Sequence, residues 1–124
     1  MLRLALVFSI VLVLYDAVAA WIARSLTVSY DSFLVLALVV IFFMGVYAGR
    51  KKHWQAIVTI AITAAVETTA GWYVAALIGP GYVPGWTMRA LIVMAVEAWL
   101  LSMAVGSVGV WVGLGVAGLR RGLP

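Results

Sequence analysis

Residues 32–49 read SFLVLALVVIFFMGVYAG, eighteen residues without one charge, and residues 50–53, RKKH, end the run abruptly. As an α-helix this stretch is about 27 Å long, close to the roughly 30 Å of a bilayer's hydrocarbon core. An uncharged run of that length followed by a basic block reads as a membrane span with its end at the interface.

The rest of the chain repeats the pattern. Leu4 to Ala23 is uncharged except for Asp16, residues 54–78 are uncharged except for Glu67, and the run from about residue 87 to 112 is uncharged except for Arg89 and Glu97. Of the 124 residues 67% are hydrophobic and 10% are charged, and mean hydropathy is +1.21. A soluble domain carries about 25% charged residues. A chain this apolar cannot cover a water-facing surface. The expectation is one all-α domain, an integral membrane four-helix bundle with spans near 4–23, 32–49, 54–78 and 87–112. Residues 17–19 resemble a signal-peptide cleavage site, but the motif around Asp16 recurs later in the chain, so the first run is read as a retained span.

The recurrence is specific in form. Asp16-Ala17-Val18-Ala19-Ala20-Trp21 and Glu67-Thr68-Thr69-Ala70-Gly71-Trp72 both run acid, two residues, Ala, a small residue, Trp. It suggests two helical hairpins in parallel repeat. On an α-helix positions i, i+3 and i+4 share a stripe, so each acid is expected beside small residues that let another helix approach closely. The tryptophan at i+5 is turned about 140° away on an α-helix, so Trp21 and Trp72 are expected to anchor the interface rather than touch the acids.

Depth is read from helical rise. Asp16 lies about 18 Å from the start of its span, Glu67 about 20 Å from its own, and Glu97 about 15 Å down from the other side. All three then reach a similar level, where an ionised carboxylate costs about 2.5–3.5 kcal/mol or more. Such a group must take up a proton, bond to hydroxyls such as those of Tyr15, Thr68 and Ser102, or hold a cation from solution. Each route requires the acids to face the bundle or a wet cavity. Asp16, Glu67, Glu97, Tyr15, Thr68 and Ser102 are therefore the candidate ion- or substrate-binding residues.

Gly45 and Gly49, and Gly109 and Gly113, form small-x-x-x-small pairs, and Ser102 and Gly106 extend the second into one face. These glycines are expected at helix contacts within the chain or between copies. Four thin helices do not easily enclose a polar route, which favours a homo-oligomer or a larger membrane complex.

Orientation follows from the eight basic residues. Arg3, Arg50, Lys51, Lys52, Arg120 and Arg121 fall on one side, Arg24 and Arg89 on the other. The basic side is cytoplasmic by the usual bias, which puts both termini inside a bacterial-type plasma membrane. The net charge of +4 is thereby accounted for without nucleic acid. The 79–85 segment, rich in Gly and Pro, is expected to be a compact, stiff turn.

The chain has no cysteine and one histidine, His53, in the basic block. No catalytic triad, metal-ligand spacing or nucleotide fingerprint occurs, so neither an enzyme nor a cofactor is expected. Two functions remain: transport or conduction of a cation or proton-coupled small solute through the acids, or a non-transporting accessory, assembly or regulatory subunit that docks a larger complex.

Overall fold

A computed structural model describes residues 2–27, 31–51, 53–78 and 87–122. The described residues form α1 (Leu2–Leu26), α2 (Asp31–Lys51), α3 (His53–Val66), a π-helical segment (Glu67–Gly71), α4 (Trp72–Ile78) and α5 (Met88–Gly122). Four helical runs are long and apolar enough to cross a membrane, with α3, the π segment and most of α4 counting as one. The chain is an all-α, multi-pass membrane bundle. Residues 79–86, which include the expected turn, Tyr82 and Trp86, lie outside the described residues, as does Lys52.

The spans outrun their expected limits. α1 continues to Leu26, where Thr27 ends it with φ +54° and turns its hydroxyl onto the Leu26 carbonyl at 2.7 Å. A left-handed residue just past the last turn is a common helix terminator. α5 has 35 residues, about 52 Å of helix, far longer than a hydrocarbon core. Its glycine-rich tail past residue 112 stays helical to the basic pair Arg120 and Arg121, both exposed.

Packing is uneven. The most extensive contact is between α2 and α5, α3 touches α1, α2 and α5, and α1 touches α2 only slightly and α5 not at all among the described residues. The two hairpins, α1–α2 and α3–α5, are thus packed quite differently.

The α2–α5 contact is backbone on backbone. A Cβ added at Gly45 or Gly49 would strike the Gly106 or Val110 carbonyl of α5. One added at Gly109 or Gly113 would strike the Phe42 or Val46 carbonyl of α2. Gly106 instead faces Ile41 and Ile60. All five glycines are therefore used inside one chain. The pairings rise together in number, so α2 and α5 run in the same direction. Lacking a lipid-excluded hydrophobic drive, membrane helices associate through such close fits.

Below the acids lies the apolar core: Phe8 and Leu12 from α1, Ile41, Met44 and Ala48 from α2, Ala56 and Ile60 from α3, and Val110 from α5. At the basic end Phe8 meets Tyr47 edge-on at 6.3 Å, and the Lys51 ammonium lies 5.5 Å from the Tyr47 ring centre. Across the molecule, Arg24 donates from Nη1 to the Ile78 carbonyl at 2.8 Å, tying α1 to the last residue of α4.

Candidate functional site: a buried acid pair at a π-helical segment

Asp16 and Glu67 come together. Each is almost fully buried, 3% and 5% exposed, and the two carboxyl groups and the Tyr15 hydroxyl lie within electrostatic range of one another. The meeting point is Gly71. A Cβ built there would strike the Asp16 carboxylate and lie 3.8 Å from the Asp16 Cβ. The glycine at i+4 from Glu67 thus leaves room for the acid of the other helix. Ala19 and Ala20, on the Asp16 stripe, are buried as well.

Glu67 opens the π segment, and the Trp72 N–H reaches back to the Glu67 carbonyl across five residues. Such a segment inserts an extra residue into a turn, and π-bulges recur at functional sites. The local sequence supplies acceptors' partners for the disturbed ladder. Thr68 donates its hydroxyl to the Ala64 carbonyl at 3.0 Å, and Thr69 donates to the Ala65 carbonyl at 2.7 Å. Hydroxyls that bond back to i−4 bend or loosen a helix.

The π register changes where Trp72 goes. An α-helix would turn position i+5 about 140° from the acid, as expected above. With i and i+5 joined by a hydrogen bond, Trp72 returns to the acid's side and lines the same cavity as Glu67. Trp21, in the unbroken α1 copy, is exposed as expected for an interfacial anchor. The repeated motif therefore has two different geometries.

That cavity, about 250 Å³, lies between α2, the π segment and α5. It is lined by Glu67, Thr68 and Trp72, by Leu34, Ala37 and Leu38 of α2, and by Met94, Glu97, Ala98, Leu101 and Ser102 of α5. Glu67, Thr68 and Ser102 are buried, whereas Glu97 is exposed and sits at the rim. The expected cluster of three acids is thus a buried pair with a third carboxyl at the edge of the Glu67 cavity. Glu97 falls on the stretch of α5 from residue 88 to 101, which has no buried residue, because the glycines that draw α5 against α2 begin only at Gly106.

Two hydroxyls have structural work. Tyr15 donates to the Phe33 carbonyl at 2.7 Å, joining α1 to the first turn of α2. Thr68 is already a donor within its own helix, which leaves its oxygen only as an acceptor toward the cavity. Trp99 points away from the cavity, donating from Nε1 to the Ala61 carbonyl at 3.2 Å.

A polar stripe on α3 was missed from sequence. Thr59 and Thr63 are buried and lie four residues apart, with Glu67 four further on. Thr59 donates to the Gln55 carbonyl at 2.7 Å. Thr63 Oγ1 and Glu67 Oε2 are buried without a hydrogen-bond partner. Leaving such a group unsatisfied costs about 1–3 kcal/mol. The i, i+4, i+8 spacing of Thr59, Thr63 and Glu67 was the available signal.

Among the described residues no group of three or more His, Asp or Glu is placed to hold a metal ion. Comparison with protein-family models, characterised sequences and solved structures finds no match.

Proposed function

We propose that this protein moves a cation, or a small solute together with a proton, across the membrane, using Asp16 and Glu67 as the exchange site. The single observation that supports this reading most is the burial of both carboxyl groups from two different helices at one point, with Glu67 Oε2 left without a partner. A purely structural acid would be satisfied by hydrogen bonds, since unsatisfied buried polar groups are rare. Two buried carboxyl groups within electrostatic range of each other disfavour carrying both charges at once, and loading and release of a proton or cation there is the elementary step of coupled transport. Thr63 and Thr59 extend polar positions from Glu67 toward the basic end of α3.

In this reading the protein sits in a bacterial-type plasma membrane with both termini cytoplasmic. Arg50, Lys51, Lys52, Arg120 and Arg121 set that orientation rather than taking part in exchange. A homo-oligomer would cover the outer stretch of α5, which has no buried residue within the chain. The same bare stretch favours the second reading, a non-transporting subunit that docks α5 on a larger complex.

Flux into proteoliposomes separates the two. Wild-type protein should carry protons, sodium or an organic cation faster than empty vesicles, and Glu67→Gln should fall to the empty-vesicle rate. Glu67→Gln with unchanged flux overturns the transport site. Wild-type flux equal to empty vesicles for every cation tried leaves the subunit reading in its place.

A further inference from the structure

We infer that the Glu67 cavity takes an organic cation carrying apolar substituents, which enters sideways between α2 and α5 from the bilayer. This rests on the transport reading above and names its substrate class.

The lining decides the chemistry. Four of its side chains carry oxygen, Glu67, Glu97, Thr68 and Ser102, and no lining residue is basic. The remaining wall is apolar or aromatic. A small inorganic ion must replace its hydration shell with some six or more oxygens, and the buried lining side chains Glu67, Thr68 and Ser102 carry only four between them, the two of Glu97 lying at the exposed rim. An alkylammonium ion needs only a counter-charge and apolar surface around its substituents. Glu67 supplies the counter-charge: it is 5% exposed, it lines the cavity, and its Oε2 has no hydrogen-bond partner. Trp72, brought round by the π segment, adds a ring on the same wall, and aromatic faces attract organic cations.

The way in follows from packing. α2 and α5 are locked together from Gly45 and Gly106 toward the basic end. About two turns above that lock, the cavity opens between Ala37 and Ala98. Its rim residues Leu34, Glu97 and Leu101 are exposed on the side of the bundle. A carboxyl at a lateral, otherwise apolar opening attracts a cation already dissolved in the interface. Glu97 is then a recruiting group and Glu67 the binding group.

The test is titration calorimetry of the full-length protein in detergent, against protein-free micelles, with sodium, potassium, tetramethylammonium, tetraethylammonium and tetrapropylammonium chlorides. Affinity should rise across the ammonium series by about fourfold per methylene buried, with no saturable binding of sodium or potassium. Glu67→Gln should weaken tetrapropylammonium by about 10-fold or more, the loss of one Coulombic pair away from bulk water. Ala98→Phe, which fills the cavity and leaves every acid in place, should abolish binding, and it gives an answer even if Glu67→Gln does not fold. Flat affinity across the series, or tight binding by Ala98→Phe, overturns the organic-cation inference. If flux of protons or sodium still depends on Glu67 in that case, the transport reading stands without it. If neither binding nor flux depends on Glu67, both fall.

Discussion

The α2–α5 contact makes a prediction in which one substitution has opposite signs at two places on one helix. Gly109→Ala puts a methyl group against the Phe42 carbonyl oxygen, with the Phe42 carbonyl carbon and the Val46 nitrogen each 3.1 Å away. All three atoms are backbone, so no rotamer change makes room and the helices must separate. Gly115→Ala meets nothing within 4 Å. Both changes gain about 0.8–1.0 kcal/mol of helix propensity, and that gain cancels when the two are compared. Overpacking of a tight contact costs about 1–3 kcal/mol. Gly115→Ala should therefore be more stable than wild type by up to about 1 kcal/mol, and less stable protein should result from Gly109→Ala, the two differing by about 1–3 kcal/mol. Reversible unfolding in mixed detergent–SDS micelles, followed by helical circular dichroism, measures both. Equal stability of the two variants would refute the backbone contact, and with it the lock between α2 and α5 on the basic side of the Glu67 cavity.

Two further outcomes concern hydroxyls near the acids. Tyr15→Phe removes the bond to the Phe33 carbonyl and should cost about 0.5–1.5 kcal/mol in the same unfolding assay; an unchanged midpoint would show that α1 and α2 are not joined there. Thr63→Val replaces a buried hydroxyl that has no partner with a methyl of nearly the same shape, so it should stabilise the protein by about 1 kcal/mol while slowing flux in proteoliposomes. Loss of stability would place a bonding partner on Thr63, and undiminished flux would remove it from the route.

The spans were legible because a bilayer imposes length and apolarity directly on the sequence. Residues 32–49 were expected and 31–51 are helical; residues 54–78 were expected and one α–π–α run fills them. The pairing of Asp16 with Glu67 was legible from helical rise, since the acids stand at similar distances from the starts of parallel spans. The π segment was not. A one-residue insertion into the turn leaves hydropathy unchanged, and the back-bonds of Thr68 and Thr69 to Ala64 and Ala65 that accompany it also occur in regular helix, as from Thr59 to Gln55. That single local event misdirected the expectation for Trp72. Glu97 was placed at the right depth but with too much cover, because depth is set by rise along the axis whereas burial depends on where the neighbouring helix stops touching. The glycines told of close approach without naming the partner: Gly45, Gly49, Gly109 and Gly113 line the contact of α2 with α5, and Gly71 faces Asp16 of α1.

The absence of native cysteine permits a direct test of the meeting between α1 and the π segment. The Cβ positions of residues 16 and 71 are 3.8 Å apart, at the mean separation for a disulfide. In the double variant Asp16→Cys with Gly71→Cys, mild oxidation in native membranes should close an intramolecular disulfide. Both thiols should then be lost to maleimide-polyethylene glycol added after denaturation, with the protein still monomeric on a non-reducing gel, and Trp21→Cys with Gly71→Cys should keep both. Two free thiols in the Asp16→Cys, Gly71→Cys protein after oxidation would mean that these helices do not bring their acids together, and the exchange site would be lost with them.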